Sequence, residues 1–142
     1  LRQIFNLGAE LNLPYHPDSQ AIIKWHGIGR ITDQIVEAQH FFKVLGWELD
    51  VIDISRARGF EIIADLNEPF PDQLLEQYDL VIDSGTIEHC FNVGQAMKNL
   101  ASTVREGGLI YQATPLNSFN HGFYNMCPTF YYDFYEGNGF TV

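Results

Sequence analysis

Short apolar runs alternate with amphipathic stretches along most of the chain. Leu80-Val81-Ile82 is a continuous apolar run between two aspartates, which is typical of a parallel strand covered on both faces. Apolar residues recur at the helical period in residues 32–45 and 92–104. This alternation predicts βα units around a doubly wound, mainly parallel sheet. The predicted strands are residues 2–7, 49–54, 60–64, 79–84 and 108–114.

The pattern also predicts shorter elements and element ends. We expect a short helix at residues 18–24, one or two helical turns within residues 71–77, and an aromatic helix at residues 128–135. The pair Gly107-Gly108 is expected to end the helix of residues 92–104, because glycine is common just after helices. Residues 140–142 are expected to begin a further strand.

Composition indicates one globular domain, residues 1–142, and limits its partners. Apolar residues make up 46% of 142, enough for a core, and residues 115–142 form an aromatic segment that holds nine of the twenty aromatics. The net charge of −10 disfavours nucleic acid as a partner, since phosphate binding needs clustered Lys and Arg. No apolar run is long enough for a membrane helix. Cys90 and Cys127 are too few for a disulfide scaffold, so we expect reduced cysteines and a cytoplasmic location.

Three successive predicted strands end in an aspartate: Asp53, Asp65 and Asp83. In a doubly wound sheet the ligand binds beyond the carboxyl ends of the strands. Asp53 can accept hydrogen bonds from two ribose hydroxyls. Asp65 can accept one from the adenine amine, while Leu66 covers the ring. Each aspartate could instead bond the backbone of its own turn, and the sequence leaves this open.

A glycine-rich loop for the phosphate or methionine end of a ligand has two candidate positions. One is His26-Gly27-Ile28-Gly29, which would need residues 21–25 to be a strand, and Asp53 lies 26 residues beyond Gly27. That position would favour an NAD-dependent oxidoreductase. In the other, residues 2–7 are the first strand and Gly8 meets the ligand.

Glu88-His89-Cys90 and His121 raise the question of a metal site. Glu88 and His89 are adjacent, so they cannot share a helix face. The sequence has no HExxH or CxxC spacing. We therefore expect no metal, with His89 as a capping or pocket residue.

From Asp53 to Phe140 the chain resembles the class I S-adenosylmethionine-dependent methyltransferases. It most resembles an uncharacterised bacterial branch with an Asn-His-Gly-Phe-Tyr element after the fifth strand, which is residues 120–124 here. The order and spacing of the matching segments carry the resemblance. Those segments are residues 51–55, 64–71, 78–83, 88–89, 106–110 and 114–115.

The resemblance implies a Rossmann-like sheet with strand order 3-2-1-4-5, in a family whose sheet has seven strands; this chain stops where the sixth begins. It also implies an S-adenosylmethionine site. The chain departs from the family at its first loop, because Asn6-Leu7-Gly8-Ala9-Glu10 keeps one glycine of the usual glycine-rich motif. The implied cofactor-binding residues are Gly8, Asp53, Ile54, Asp65, Leu66, Asp83, Ser84 and Gly85.

The resemblance further implies methyl transfer. The acidic net charge disfavours a nucleic-acid acceptor and favours a small molecule or a glycan precursor. A hydroxyl acceptor needs a general base, and His121 is the predicted catalytic residue, with His89 and Tyr124 predicted to bind the acceptor. His121 could instead be a loop residue that bonds the backbone. The alternative functions are a non-catalytic nucleotide-binding or interaction module and the NAD-dependent oxidoreductase. An unpaired sheet edge makes a homodimer a further expectation.

Overall fold

The computed structural model describes residues 15, 17–25 and 36–142. The chain divides into two compact units, Leu1–Val51 and Ile52–Val142. In the described residues the class is mixed α/β, with four α-helices and two small parallel sheets. The expectation of a single domain stays a prediction. None of the helices in these residues has the length and apolar character needed to cross a membrane.

The described part of the first unit contains helices α1, Ser19–Trp25, and α2, Ala38–Val44. Helix α1 confirms the short predicted helix, and residues 21–25 are therefore not a strand. Helix α2 starts at Ala38 rather than at residue 32, because Glu37 caps it by accepting a hydrogen bond from the backbone N of His40. The predicted strand 2–7, Gly8, the loop 26–29 and residues 32–35 lie outside the described residues.

The second unit begins with two short parallel strands, β1, Ile52–Asp53, and β2, Ile62–Ile63. Each is shorter than predicted. The loop between them is held by the buried carboxylate of Glu61, which accepts hydrogen bonds from the backbone N of Arg58 and Gly59. A 3-10 turn, Asp72–Leu74, then precedes the second sheet and confirms the helical turn expected there.

The second sheet pairs β3, Tyr78–Asp83, with β4, Val104–Gln112, in parallel. A second 3-10 turn, Ile87–His89, follows β3 and leads to helix α3, Val93–Thr103. The apolar side of α3 packs on a core cluster that includes a second helix, α4, Pro128–Gly137. The buried members of that cluster are Ile87, Cys90, Ala96, Met97, Leu100, Met126 and Tyr135.

Two expectations at the ends of these elements are wrong. Helix α3 ends at Thr103 and β4 begins at once, so Gly107-Gly108 lies inside the strand. Tyr78 pairs with Val104 but Leu80 pairs with Leu109 instead of residue 106, so β4 carries three extra residues there. Gly107 absorbs this shift with a φ of +74°. Residues 140–142 form no strand, and Phe140 packs against the core cluster.

The sheet order 3-2-1-4-5 stays a prediction. The described strands supply two of its neighbour pairs, since β1 lies beside β2 and β3 beside β4. Both pairs are parallel, as predicted. The remaining neighbour pairs involve residues 2–7, which the structure does not describe.

Candidate functional site

Asp53 and Asp65 follow one another along the carboxyl edge of the first sheet. Asp53 ends β1 and pairs with Ile63 of β2, and the backbone N of Ala64 donates to the backbone O of Asp53 at 3.1 Å. Asp65 is the next residue along the chain. Because β1 and β2 are parallel, both carboxylates leave the sheet at the same edge.

Each of these two aspartates holds its own turn with one oxygen. Oδ1 of Asp53 accepts from the backbone N and the hydroxyl of Ser55 at 2.8 and 3.0 Å. Oδ1 of Asp65 accepts from the backbone N and the side-chain Nδ2 of Asn67, both at 2.8 Å, and these bonds lower the pKa of Asp65. The turn contacts left open by the sequence are therefore present. Among the described residues neither Oδ2 accepts a hydrogen bond.

Helix α3 fixes the loop that carries Asp65. The side chain of Asn99 is 2% exposed, and its Nδ2 donates to the backbone O of Leu66 and Glu68. Its Oδ1 accepts from the backbone N of Phe70. Leu66 also packs against the core cluster. The loop after β2 is thus anchored to a buried amide on the neighbouring helix.

Asp83, at the end of β3, is buried and bonds the protein with both oxygens. Oδ1 accepts from the backbone N of Thr86 at 2.9 Å, and Oδ2 accepts from Nε2 of Gln112 at 3.0 Å. Oε1 of Gln112 in turn accepts from the hydroxyl of Tyr135 at 2.6 Å. This network ties β3, β4 and α4 together. The predicted ligand role of Asp83 stays a prediction, as do those of the exposed Ser84 and half-buried Gly85 that follow it.

Glu88, His89 and His121 converge beyond the end of β3. Glu88 and His89 belong to the 3-10 turn Ile87–His89, and His121 lies in the segment after β4. Nε2 of His121 lies 3.2 Å from Oε1 of Glu88 and 3.3 Å from Nε2 of His89. Nε2 of His89 lies 3.8 Å from the same Glu88 oxygen. Glu88 is completely buried, whereas the two histidine side chains are about half exposed.

The backbone around Glu88 explains how His121 reaches this turn. The backbone O of Glu88 accepts from the N of Phe123 at 2.7 Å and from the N of Tyr124 at 3.3 Å. Gly122 lies so close that a Cβ there would be 2.7 Å from that same oxygen. The hydroxyl of Tyr124 donates to the backbone O of Phe91 at 2.8 Å. The Asn-His-Gly-Phe-Tyr element is therefore fastened to the 3-10 turn by backbone and side-chain bonds.

The buried thiol of Cys90 lies in the negative field of three acids at this edge. Burial raises the pKa of Cys90. The negative charges of Asp65, Asp83 and Glu88 raise it further, because thiolate formation next to them is repulsive. Acids from the ends of β2 and β3 and from the following turn therefore act on the same thiol.

A cavity of about 920 Å³ lies elsewhere, along β4 and α4. Its walls include Leu109, Ile110, Tyr131, Tyr135 and the chain end at residues 139–142. Among the predicted site residues that the structure describes, none lines it. Tyr135 and its partner Gln112 do line it, and Gln112 bonds Asp83 on the other side.

Most residues of this edge are predicted from the sequence, but the residues that connect it are not. Gln112, Asn99 and Tyr135 have no predicted role, because hydrogen bonds between distant elements leave no periodic signal. Ile54 is mostly exposed beside Asp53. Gly8 lies outside the described residues.

Comparison of the chain with family models, curated proteins and solved structures found no match.

Proposed function

We propose that this protein transfers a methyl group from S-adenosylmethionine to a small-molecule acceptor in the cytoplasm. One observation carries the proposal: Asp53 and Asp65 leave two neighbouring parallel strands at the same edge, and each keeps one carboxylate oxygen outside its turn bonds. An adenosyl group offers matching donors, the ribose hydroxyls and the adenine amine.

The spacing and order of the two acids suit one nucleoside. Neighbouring strands lie about 4.8 Å apart, so a ligand that spans β1 and β2 can reach both carboxylates. The turn bonds from Ser55 and Asn67 fix each Oδ1, which limits the side-chain freedom lost on binding. Leu66 is held by Asn99 beside Asp65, in the position proposed to cover the adenine ring.

The rest of the edge suits a cationic cofactor and a neutral or cationic acceptor. A sulfonium carries a positive charge, and Asp65 supplies negative charge at the same edge. His89, His121 and Tyr124 provide polar groups on the proposed acceptor side. Methyl transfer is an in-line displacement, so much of its acceleration comes from holding the two reactants together.

Thermal shift with three ligands tests the proposal. We expect S-adenosylmethionine and S-adenosylhomocysteine to raise the melting temperature with increasing concentration, and NAD to leave it unchanged, because only a ligand that binds the folded state stabilises it. Stabilisation by NAD alone would favour the oxidoreductase. No shift with any ligand would contradict the proposal and favour a non-catalytic interaction module.

A further inference from the structure

We propose that Glu88, His89 and His121 bind one divalent transition-metal ion of the zinc type. Three potential ligand atoms, one from each residue, lie within 4.8 Å of one another. They come from two segments that the fold fastens together, the turn after β3 and the segment after β4. The site is independent of the proposed adenosyl group, because it uses neither Asp53 nor Asp65.

The three atoms are spaced as zinc ligands are. Oε1 of Glu88, Nε2 of His89 and Nε2 of His121 form a triangle with edges of 3.2, 3.3 and 3.8 Å. A point about 2.1 Å from all three atoms lies about 0.6 Å above the plane of this triangle, and zinc binds histidine nitrogen and carboxylate oxygen at about that distance. An ion therefore fits with little movement of the side chains.

The buried carboxylate of Glu88 gives an independent reason to expect a cation. Glu88 has no solvent exposure, and its Oε2 has no hydrogen-bond partner in the described structure. A buried carboxylate costs several kcal/mol unless it is paired with a positive charge and hydrogen-bonded. Its side-chain neighbours are the two histidines, at 3.2 and 3.8 Å. A divalent ion would supply the missing positive charge.

The donor set and the spacing select the class of ion. Two imidazoles and one carboxylate suit zinc and related transition metals, whereas Ca²⁺ and Mg²⁺ prefer oxygen ligands only. Ligands at tetrahedral angles about zinc lie about 3.3 Å apart, and ligands at right angles in an octahedron lie about 2.9 Å apart. The observed edges are closer to the tetrahedral spacing.

Three protein ligands leave a fourth position open. The side chains of His89 and His121 are 49% and 46% exposed, so this position faces solvent and can take a water or an oxygen of a bound molecule. The proposal also changes the predicted role of His121. Nε2 cannot accept a proton while it binds a metal, so His121 acts here as a ligand and not as a general base.

The test uses the full chain, stripped with a chelator and dialysed against ZnCl₂. We expect one bound zinc per chain by elemental analysis and a zinc-dependent rise in melting temperature. His89→Ala is the decisive variant, because this half-exposed side chain can be removed without opening the core. It should weaken zinc binding by at least about 100-fold, more than the loss of an outer-shell partner costs.

The chain offers two matched controls. His40→Ala removes another histidine that lies 3.1 Å from a glutamate, Glu37, with no third potential ligand among the described residues. This variant should bind zinc as the unmodified chain does. Cys127→Ser removes an exposed thiol that could bind zinc adventitiously, and it should also bind normally. Glu88→Gln should lose the zinc-dependent rise while melting no lower than the unmodified chain without metal, because it removes a buried charge.

The coordination is tested with Co²⁺ in place of zinc. Four-coordinate Co²⁺ bound by the unmodified chain should give strong visible absorption that His121→Ala abolishes. The proposal is overturned if the stripped chain takes up no zinc, or if His89→Ala and His40→Ala bind it equally well. Loss of binding in Cys127→Ser alone would assign the ion to the thiol and equally overturn the proposal.

Discussion

Nε2 of His121 lies 3.2 Å from Oε1 of Glu88, and the backbone of Glu88 also accepts the N–H of Phe123. One residue of the turn after β3 thus holds the segment after β4 through both its side chain and its main chain. The position of His121 depends on this contact and on the close approach of Gly122 to Glu88. Substitutions along this contact should therefore affect the site before they affect the rest of the fold.

Gly122→Ala should lower the free energy of unfolding by about 2 kcal/mol. Gly122 has a φ of +69°, and an added Cβ would lie 2.7 Å from the backbone O of Glu88. Gly94→Ala is the matched control, because Gly94 lies in helix α3 with nothing within 4 Å of an added Cβ. Gly94→Ala should raise the free energy of unfolding by about 0.5 kcal/mol. Urea unfolding measures both, and equal stabilities would contradict the described packing of Gly122 on Glu88.

Asn99→Ala should lower the free energy of unfolding by about 3 kcal/mol, because it removes the buried amide that bonds the backbone of Leu66, Glu68 and Phe70. Cofactor affinity should fall as well, since the loop that carries Asp65 loses its anchor. Lys98→Ala, at the exposed neighbouring position, is the control and should change stability by less than about 0.5 kcal/mol. If the Asn99→Ala variant is as stable as the Lys98→Ala variant, the side-chain amide of Asn99 does not hold the loop that carries Asp65.

Tyr135 should make the protein less stable at alkaline pH. Burial, and then the negative charge of Asp83, raise the pKa of its hydroxyl well above the ordinary value of about 10. The folded state therefore keeps a proton that the unfolded state releases. The resulting stability is complete below about pH 10 and is lost as the pH rises from there towards the folded pKa, by up to about 1.4 kcal/mol per pH unit.

Tyr135→Phe isolates this contribution. At neutral pH it should cost about 1 kcal/mol, because Oε1 of Gln112 loses its hydrogen bond. Between pH 9.5 and about 11 its stability should decline less steeply than that of the unmodified chain. Tyr132→Phe, at an exposed position on the same helix, should keep the original slope. Identical slopes for all three proteins in urea unfolding would contradict the raised pKa.

The apolar pattern was enough to predict β3, helix α3 and helix α4. Strand β3 is a continuous apolar run between two aspartates, α3 has a regular helical period, and α4 is an aromatic segment that starts at a proline. Asn92 caps α3 by accepting from the N of Gln95, and Pro128 begins α4. The transition at Val104 was not predictable in this way. There the helix gives way to a strand without a glycine, and the pairing shift with β3 decides where Gly107-Gly108 lies.

The candidate site was predictable in its parts but not in its contacts. The aspartates at strand ends follow from the parallel βα pattern, which gives each acid a place at one edge. Spacing along the chain gave no reason to bring Glu88 and His89 together with His121, since adjacent residues on a regular helix point apart. A 3-10 turn and a segment fastened to it by backbone bonds achieve this convergence, and neither has a periodic signature.

Calorimetric titration of S-adenosylhomocysteine into the full chain tests the proposed function most directly. We predict saturable binding to the unmodified protein, binding at least about 10-fold weaker in Asp53→Asn, and unchanged binding in Asp133→Asn, which removes the same charge from an exposed position on α4. The affinity for S-adenosylhomocysteine should fall because Asp53→Asn removes the carboxylate that is proposed to accept hydrogen bonds from the ribose hydroxyls. Equal affinity in all three proteins, or no binding by any of them, would contradict the account.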